Sequence, residues 1–299
     1  MELMDYGLQP LDFQNPTVAP PPPDSGFLRR SFVMTSLASG FVVVSNAVFT
    51  QAVVTGRSDL VAGEAGLPVS EGEMLAHCAM PAAPGKYPIL LVVQKIFGVH
   101  EHIKDMCLRF ARMGDYVIAP ERYARQGDTS KMVDIKTILS TVVVKVPDAQ
   151  VNADLDAAGA FAGASGNGDT SRLGLVGYCW GDRTAWVYVA HNPKVSAAVS
   201  YYGLLDGEKS PTKPQNPVDF AAALKAPVLG RYAGIDAFVR PAVIDQMRAG
   251  HVKSRNGSEI VIFPDANHGF HADYRPTHDK AAATYAQKLT TDWLRERGV

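Results

Sequence analysis

Gly177-Tyr178-Cys179-Trp180-Gly181 stands where a short apolar run, Arg172 to Tyr178, meets a longer stretch from Trp180 to His191. The run reads as a strand and the stretch as a helix, so the five residues make a sharp strand-to-helix turn with a nucleophilic side chain at its apex. The flanking glycines have a physical reason. So tight a turn strains the central backbone, and side chains on either side would collide with neighbouring structure. The same turn brings the Trp180 N–H, at a helix N-terminus that favours negative charge, close to where an oxyanion would form. A thiolate at Cys179 is favoured by that helix end too.

On both sides of this turn the chain from Ser70 onward alternates short apolar runs with longer amphipathic ones, the pattern of strands joined by crossover helices. Strands are expected at Ile89 to Gln94, Tyr116 to Pro120, Val195 to Tyr202, Pro227 to Ala233 and Glu259 to Phe263. Helices are expected at His102 to Met113, Ala149 to Ala162, Pro241 to His251 and His278 to Arg297. This predicts an α/β fold with a mainly parallel central sheet flanked by helices, built as a single domain over 57–299. At 46% hydrophobic content the chain can bury a sizeable core. Its 29 basic and 30 acidic side chains nearly cancel. That balance leaves no electrostatic footprint for nucleic acid or an anionic membrane, and points to a small-molecule partner; a monomer or homodimer is expected, with nothing in the sequence to choose between them. Cys78, Cys107 and Cys179 contain no C-x-x-C pair, which excludes a cysteine-rich zinc module.

In an α/β-hydrolase arrangement an acid and then a histidine follow the nucleophile, each after a later strand. Asp236 follows the strand ending near Ala233, and His268 follows the one ending near Phe263. Their chemistry matches: neutral His268 takes the thiol proton while Asp236 fixes its tautomer and stabilises the imidazolium. His100-Glu101-His102 and His268-x-x-His271 lack further partners at metal-binding spacing, so they read as solvated helix-start and loop residues, and neither metal nor cofactor is expected. Tyr123, Trp180, Tyr201, Tyr202, Phe238 and Phe270 are candidates for an apolar acyl pocket or for the core.

These segments resemble the dienelactone hydrolase (carboxymethylenebutenolidase) family, whose α/β-hydrolase fold carries a Cys-Asp-His triad. The resemblance runs from about Leu60 to the C-terminus and rests on Val92-Val93-Gln94-Lys95-Ile96-Phe97-Gly98-Val99, Ala119-Pro120-Glu121-Arg122-Tyr123-Ala124-Arg125-Gln126, the Cys179 turn, and the Asp236 and His268 segments. It implies a lactone or ester substrate, often bearing a carboxylate, a thioester acyl-enzyme, and an oxyanion hole made by the N–H groups of Ile96 and Trp180. Phe97 and Trp180 would flank that hole. Lys95, Tyr123, Arg125 and Phe270 are the remaining pocket candidates, with Arg231 and Arg275 as further arginines for a substrate carboxylate. Two positions depart from the family pattern. Lys95 stands where a glutamate is usual; an ammonium cannot act as that base but attracts the thiolate. Asp182 replaces a frequent second glycine, and is expected as a surface cap or a partner of Arg183. A short-chain carboxylesterase or thioesterase, and a non-catalytic binding protein, are the alternative readings.

Residues 1–56 read as a separate leader. After Pro20-Pro21-Pro22-Pro23 comes Leu28-Arg29-Arg30-Ser31-Phe32 and an uncharged stretch to Thr50, which resembles a bacterial twin-arginine export signal with a small-residue cleavage site at Ser45-Asn46-Ala47. The stretch is too short and polar for a stable membrane span. A periplasmic or secreted protein is the expectation, or a cytoplasmic one if the leader is not a signal. In an oxidising compartment a Cys78–Cys107 disulfide is conceivable.

Overall fold

The computed structural model describes residues 55–132 and 134–299, with the backbone alone of two short strands, β1 (Met34–Ser36) and β2 (Phe41–Val43). The proposed export signal and its cleavage site lie outside the described residues, those two strands excepted.

Two long antiparallel strands, β3 (Leu60–Val69) and β4 (Gly72–Pro81), open the domain as a hairpin. Then follow β5 (Tyr87–Val93), β6 (Tyr116–Pro120), β7 (Gly168–Tyr178), β8 (Val195–Tyr201), β9 (Val228–Ala233) and β10 (Glu259–Phe263). The ten strands form one sheet in the order β1-β2-β3-β4-β6-β5-β7-β8-β9-β10. From β6 to β10 all neighbours are parallel, whereas β4 runs antiparallel to β6. After β5 the chain steps outward to β6 and then returns to β7 on the other side of β5. The carboxyl ends of β5 and β7 therefore flank the switch in strand order, where open parallel sheets hold their sites.

Helices α3 (Asp148–Ala164), α4 (Trp180–His191) and α6 (Pro241–Ser254) cover one face; α1 (Glu101–Arg112) and α7 (Lys280–Arg295) cover the other. Two short helices, α2 (Ile135–Thr141) and α5 (Pro217–Phe220), lie in connections. Covered on both sides, the central strands need apolar residues at every position. In β5, Ile89, Leu91 and Val93 point into one layer, and Leu90 and Val92 into the other.

The sequence expectation for β6, β10 and α4 coincides with these bounds, and the other expected elements differ by a few residues at their ends. The β3–β4 hairpin, α2 and α5 were not anticipated. The hairpin turn, Ser70-Glu71 followed by Gly72 at φ 113°, lacks the Asn-Gly or Asp-Gly pair that announces a tight turn. The Cys78–Cys107 bridge that the sequence left open is not formed. Cys78 and Cys107 are free, and side-chain alternation along β4 puts Cys78 in the layer opposite to the one that holds Cys107. Thiol titration with Ellman's reagent is expected to label Cys179 alone in the native protein and all 3 cysteines after denaturation; one reactive thiol in denaturant would mean a bridged pair.

Candidate active site

Three loops converge at the carboxyl edge of the sheet. Cys179 links β7 to α4 with φ 54° and ψ −113°, and its N–H donates to the Tyr201 carbonyl at 2.9 Å. A non-glycine residue at positive φ is strained, and strain of this kind is concentrated at functional sites. The glycines permit the turn by close approach. A Cβ on Gly177 would stand 2.0 Å from the Gly181 carbonyl oxygen, and one on Gly181 would stand 2.4 Å from that of Val93.

The acid loop and the histidine loop are joined to each other. Gly234 N–H donates to the Phe263 carbonyl at 2.7 Å, and Ile235 N–H to that of Ala266 at 3.2 Å. A Cβ on Gly234 would fall 2.3 Å from the Pro264 carbonyl oxygen, so only glycine allows this seam. The result is a relay of side chains. Asp236 Oδ2 lies 2.8 Å from His268 Nδ1, and His268 Nε2 lies 3.3 Å from Cys179 Sγ. The other Asp236 oxygen, Oδ1, accepts the Phe238 N–H at 2.9 Å. Phe238 also sets its ring against His268, 5.1 Å between centroids, and Tyr202 flanks the imidazole from another side at 5.3 Å.

Charge favours ionisation of both Cys179 and His268. Burial pushes the Cys179 thiol up, but His268, Arg275 and Lys95 outweigh it and bring the thiol below its ordinary value. Burial pushes His268 down, yet the facing Cys179 and Asp236 raise it to about 9. Lys95 is buried, with Nζ 3.5 Å from Tyr274 Oη and 5.1 Å from the Tyr274 ring centre. Burial lowers its pKa, and Arg275 adds to that, against the pull of Tyr274 and Cys179. Arg275 lies over the Phe97 ring at 5.6 Å.

The loop after β5 carries Ile96 and Phe97 and is pinned by Glu121, which accepts the Val99 N–H at 2.7 Å and the Gln94 side-chain amide at 3.0 Å. Neither the Ile96 nor the Trp180 N–H has a protein acceptor among the described residues. Ile96 is buried, and half-buried Phe97 and Trp180 stand beside the turn.

Other expected pocket residues are engaged by protein neighbours, Tyr123 while still near Cys179. Phe270 is fully buried against Phe263 and Tyr202, hence a core residue. Tyr123 is buried too, its hydroxyl accepting from Arg122 at 2.9 Å. Arg125 is held by Asp154 and Glu71. Arg231 is buried under the Tyr201 ring, donating to the Ala286 carbonyl and to Thr290. Of the three candidate arginines only Arg275 is left beside Cys179. His102 and His271, expected as solvated, are buried in an aromatic cluster with Tyr178 and Tyr201. Tyr274 went unnoticed in the sequence because its partner Lys95 is 179 positions away.

Asp182 is the largest correction. It is completely buried, and its carboxylate accepts hydrogen bonds from Ser200 Oγ and from Tyr232 Oη at 3.2 Å. Arg183 turns instead to Asp148 at 2.6 Å. Position 182 therefore faces β8 and β9 and not solvent.

Strand order, a strained nucleophile turn and an acid and histidine on successive later loops define an α/β-hydrolase. Residues 74–298 match the model of the dienelactone hydrolase family, and the chain belongs to that family. Two curated relatives carry the name "Putative carboxymethylenebutenolidase". One from Methylorubrum extorquens is 50% identical over 91% of this chain and 94% of its own length; one from Escherichia coli K12 is 43% identical over 88% and 97%. A Klebsiella pneumoniae crystal structure named "Putative Dienelactone Hydrolase" is 45% identical, covers 79% of this chain and 99% of its own, and superposes with a TM-score of 0.77.

Iodoacetamide alkylation of Cys179 across pH is expected to show a midpoint below that of a free thiol. Lys95→Met should move it upward by about one unit through loss of a facing cation. A native midpoint above the free-thiol value would contradict this electrostatic account.

Proposed function

We propose that this chain hydrolyses a small carboxylic ester or lactone, dienelactone-like in bearing a carboxylate, through a Cys179–His268–Asp236 triad. The observation that carries the reading is the relay itself: thiol, imidazole and carboxylate at 3.3 and 2.8 Å, with the thiol at the apex of the strained turn.

Cys179 thiolate attacks the carbonyl carbon, and the electron pair displaced onto oxygen is received by the N–H groups of Ile96 and Trp180. As the tetrahedral adduct collapses, the carbon–oxygen ester bond breaks and His268 gives its proton to the departing alkoxide, which in a lactone stays tethered to the acyl group. The thioester that remains is attacked by water. His268 takes the proton from that water, the second adduct expels the thiolate, and the acid product leaves. Asp236 keeps the imidazole oriented through both steps and stabilises its cation.

Lys95 and Arg275 supply positive charge beside the nucleophile and support a substrate carrying a carboxylate. Half-buried Phe97 and Trp180 suit an apolar acyl group, which supports the broader reading of a short-chain carboxylesterase. The Arg29-Arg30 pair supports export of the folded domain, 57–299, by the twin-arginine route.

Hydrolysis of p-nitrophenyl acetate and of dienelactone by the purified protein tests the proposal. Turnover of either is expected to fall by about 10³-fold or more in Cys179→Ala, and to cease after alkylation. Arg275→Met should raise KM for dienelactone while leaving that for the uncharged acetate nearly unchanged. Turnover that survives in Cys179→Ala would refute the assignment.

A further inference from the structure

We infer that Asp182, buried behind the nucleophile turn, is a positioning residue whose ionisation tunes the reactivity of Cys179. The carboxyl sits in the first turn of α4, three residues beyond Cys179, and its own N–H donates to the Cys179 carbonyl at 3.0 Å. The second loop touching this place is also committed to it: a Cβ on Gly203 would stand 2.2 Å from the Cys179 carbonyl oxygen and 2.3 Å from Asp182 Cβ. Asp182 is thus packed against the backbone that holds the nucleophile in its strained conformation.

Its hydrogen-bond partners are all neutral. Ser200 from β8 and Tyr232 from β9 donate to its two oxygens, and the Gly203 N–H adds a backbone donor. Tyr232 is itself braced by Trp186, whose indole N–H donates to the phenol oxygen at 3.1 Å. The titratable groups that face Asp182 are Tyr232 from β9 and Cys179 at the head of its own helix, while β8 and the loop after it contribute only neutral donors. Tyr232 is driven well above its ordinary value by burial and by the Asp182 charge, and does not ionise near neutrality.

An uncompensated buried carboxyl keeps its proton to higher pH than a solvated one, and burial carries Asp182 to about 7 against the pull of its three donors. Below that value the group is neutral, and the sulfur faces only the cations around it. Above it, the proton passes to solvent and a negative charge appears behind the thiolate. A nearby anion raises the proton affinity of the sulfur, and a thiolate of higher pKa is the stronger nucleophile. The imidazolium of His268 titrates later, at about 9.

The consequence is a reactivity profile with two steps. The first is thiolate formation, at lower pH than for a free thiol, and the second is a rise as Asp182 ionises. With a thiol pKa shift of about one unit and the usual dependence of thiolate nucleophilicity on basicity, the second step is about threefold.

The inference rests on the reading of Cys179 as a reactive thiolate. The test therefore uses alkylation rate, which needs no turnover: iodoacetamide with the full chain between pH 5 and 8.5, for the native protein, Asp182→Asn and Ser200→Ala. Asp182→Asn preserves shape and an acceptor oxygen, so a purely structural role would leave the second step in place; it is expected to abolish that step. Ser200→Ala removes a donor that favours the ionised carboxylate and is expected to move the step to higher pH. If Asp182→Asn does not fold, the Ser200→Ala shift decides alone. A native profile that fits a single ionisation in this range, a second step that persists in Asp182→Asn, or one that stays unmoved in Ser200→Ala would overturn the inference. Failure of ester hydrolysis with a two-step profile intact would overturn the proposed function and leave this one standing.

Discussion

The architecture depends on one backbone compromise, the conformation of Cys179. At φ 54° and ψ −113° the residue costs about 1–3 kcal/mol relative to relaxed backbone. The cost is borne by a long, doubly covered sheet strand on one side and by a helix on the other. Gly177 meets the carbonyl of Gly181, and Gly181 meets those of Val93 and Gln94, so β7, α4 and the loop after β5 are pressed together at backbone level. This contact sets the helix direction, exposes the thiol at the sheet edge and brings the Ile96 segment alongside the Trp180 amide. A side chain at either glycine would separate all three.

Around that point two cations, Lys95 and Arg275, act on the thiol together with His268. The carboxylates beside the nucleophile are Asp236, used to orient His268, and Asp182, which has no cation among its partners. Lys95 is buried and has no carboxylate partner among the described residues; Tyr274 is its hydrogen-bonding neighbour. A carboxylate at that position would draw the proton from the thiol directly, whereas the ammonium favours the thiolate from a distance.

Local patterns in the sequence carried the parallel half of the fold and the three positions, Cys179, Asp236 and His268, whose side chains the structure brings together. Strand, tight turn and helix are contiguous around Cys179, and Asp236 and His268 each follow an apolar run that has to be a strand, so no long-range knowledge was needed. What escaped was whatever depends on three-dimensional neighbours. Asp182 looks like an ordinary polar residue at a helix start, and only its contacts with Ser200 of β8 and Tyr232 of β9 reveal it as buried. Phe270 and Arg231 look like pocket residues by type, but the packing of α7 buries them. The β3–β4 hairpin had apolar residues of the right kind and no turn signal to separate them.

The seam between the acid and histidine loops has a mechanical meaning. Two backbone hydrogen bonds and the contact of Gly234 with Pro264 tie the segment after β9 to the segment after β10, so Asp236 and His268 travel as one rigid jaw. Breathing of the site must then occur across the opposite gap, between this jaw and the thiol. The 3.3 Å separation of imidazole and sulfur becomes the compliant coordinate of the molecule, and the 2.8 Å separation of imidazole and carboxylate the stiff one.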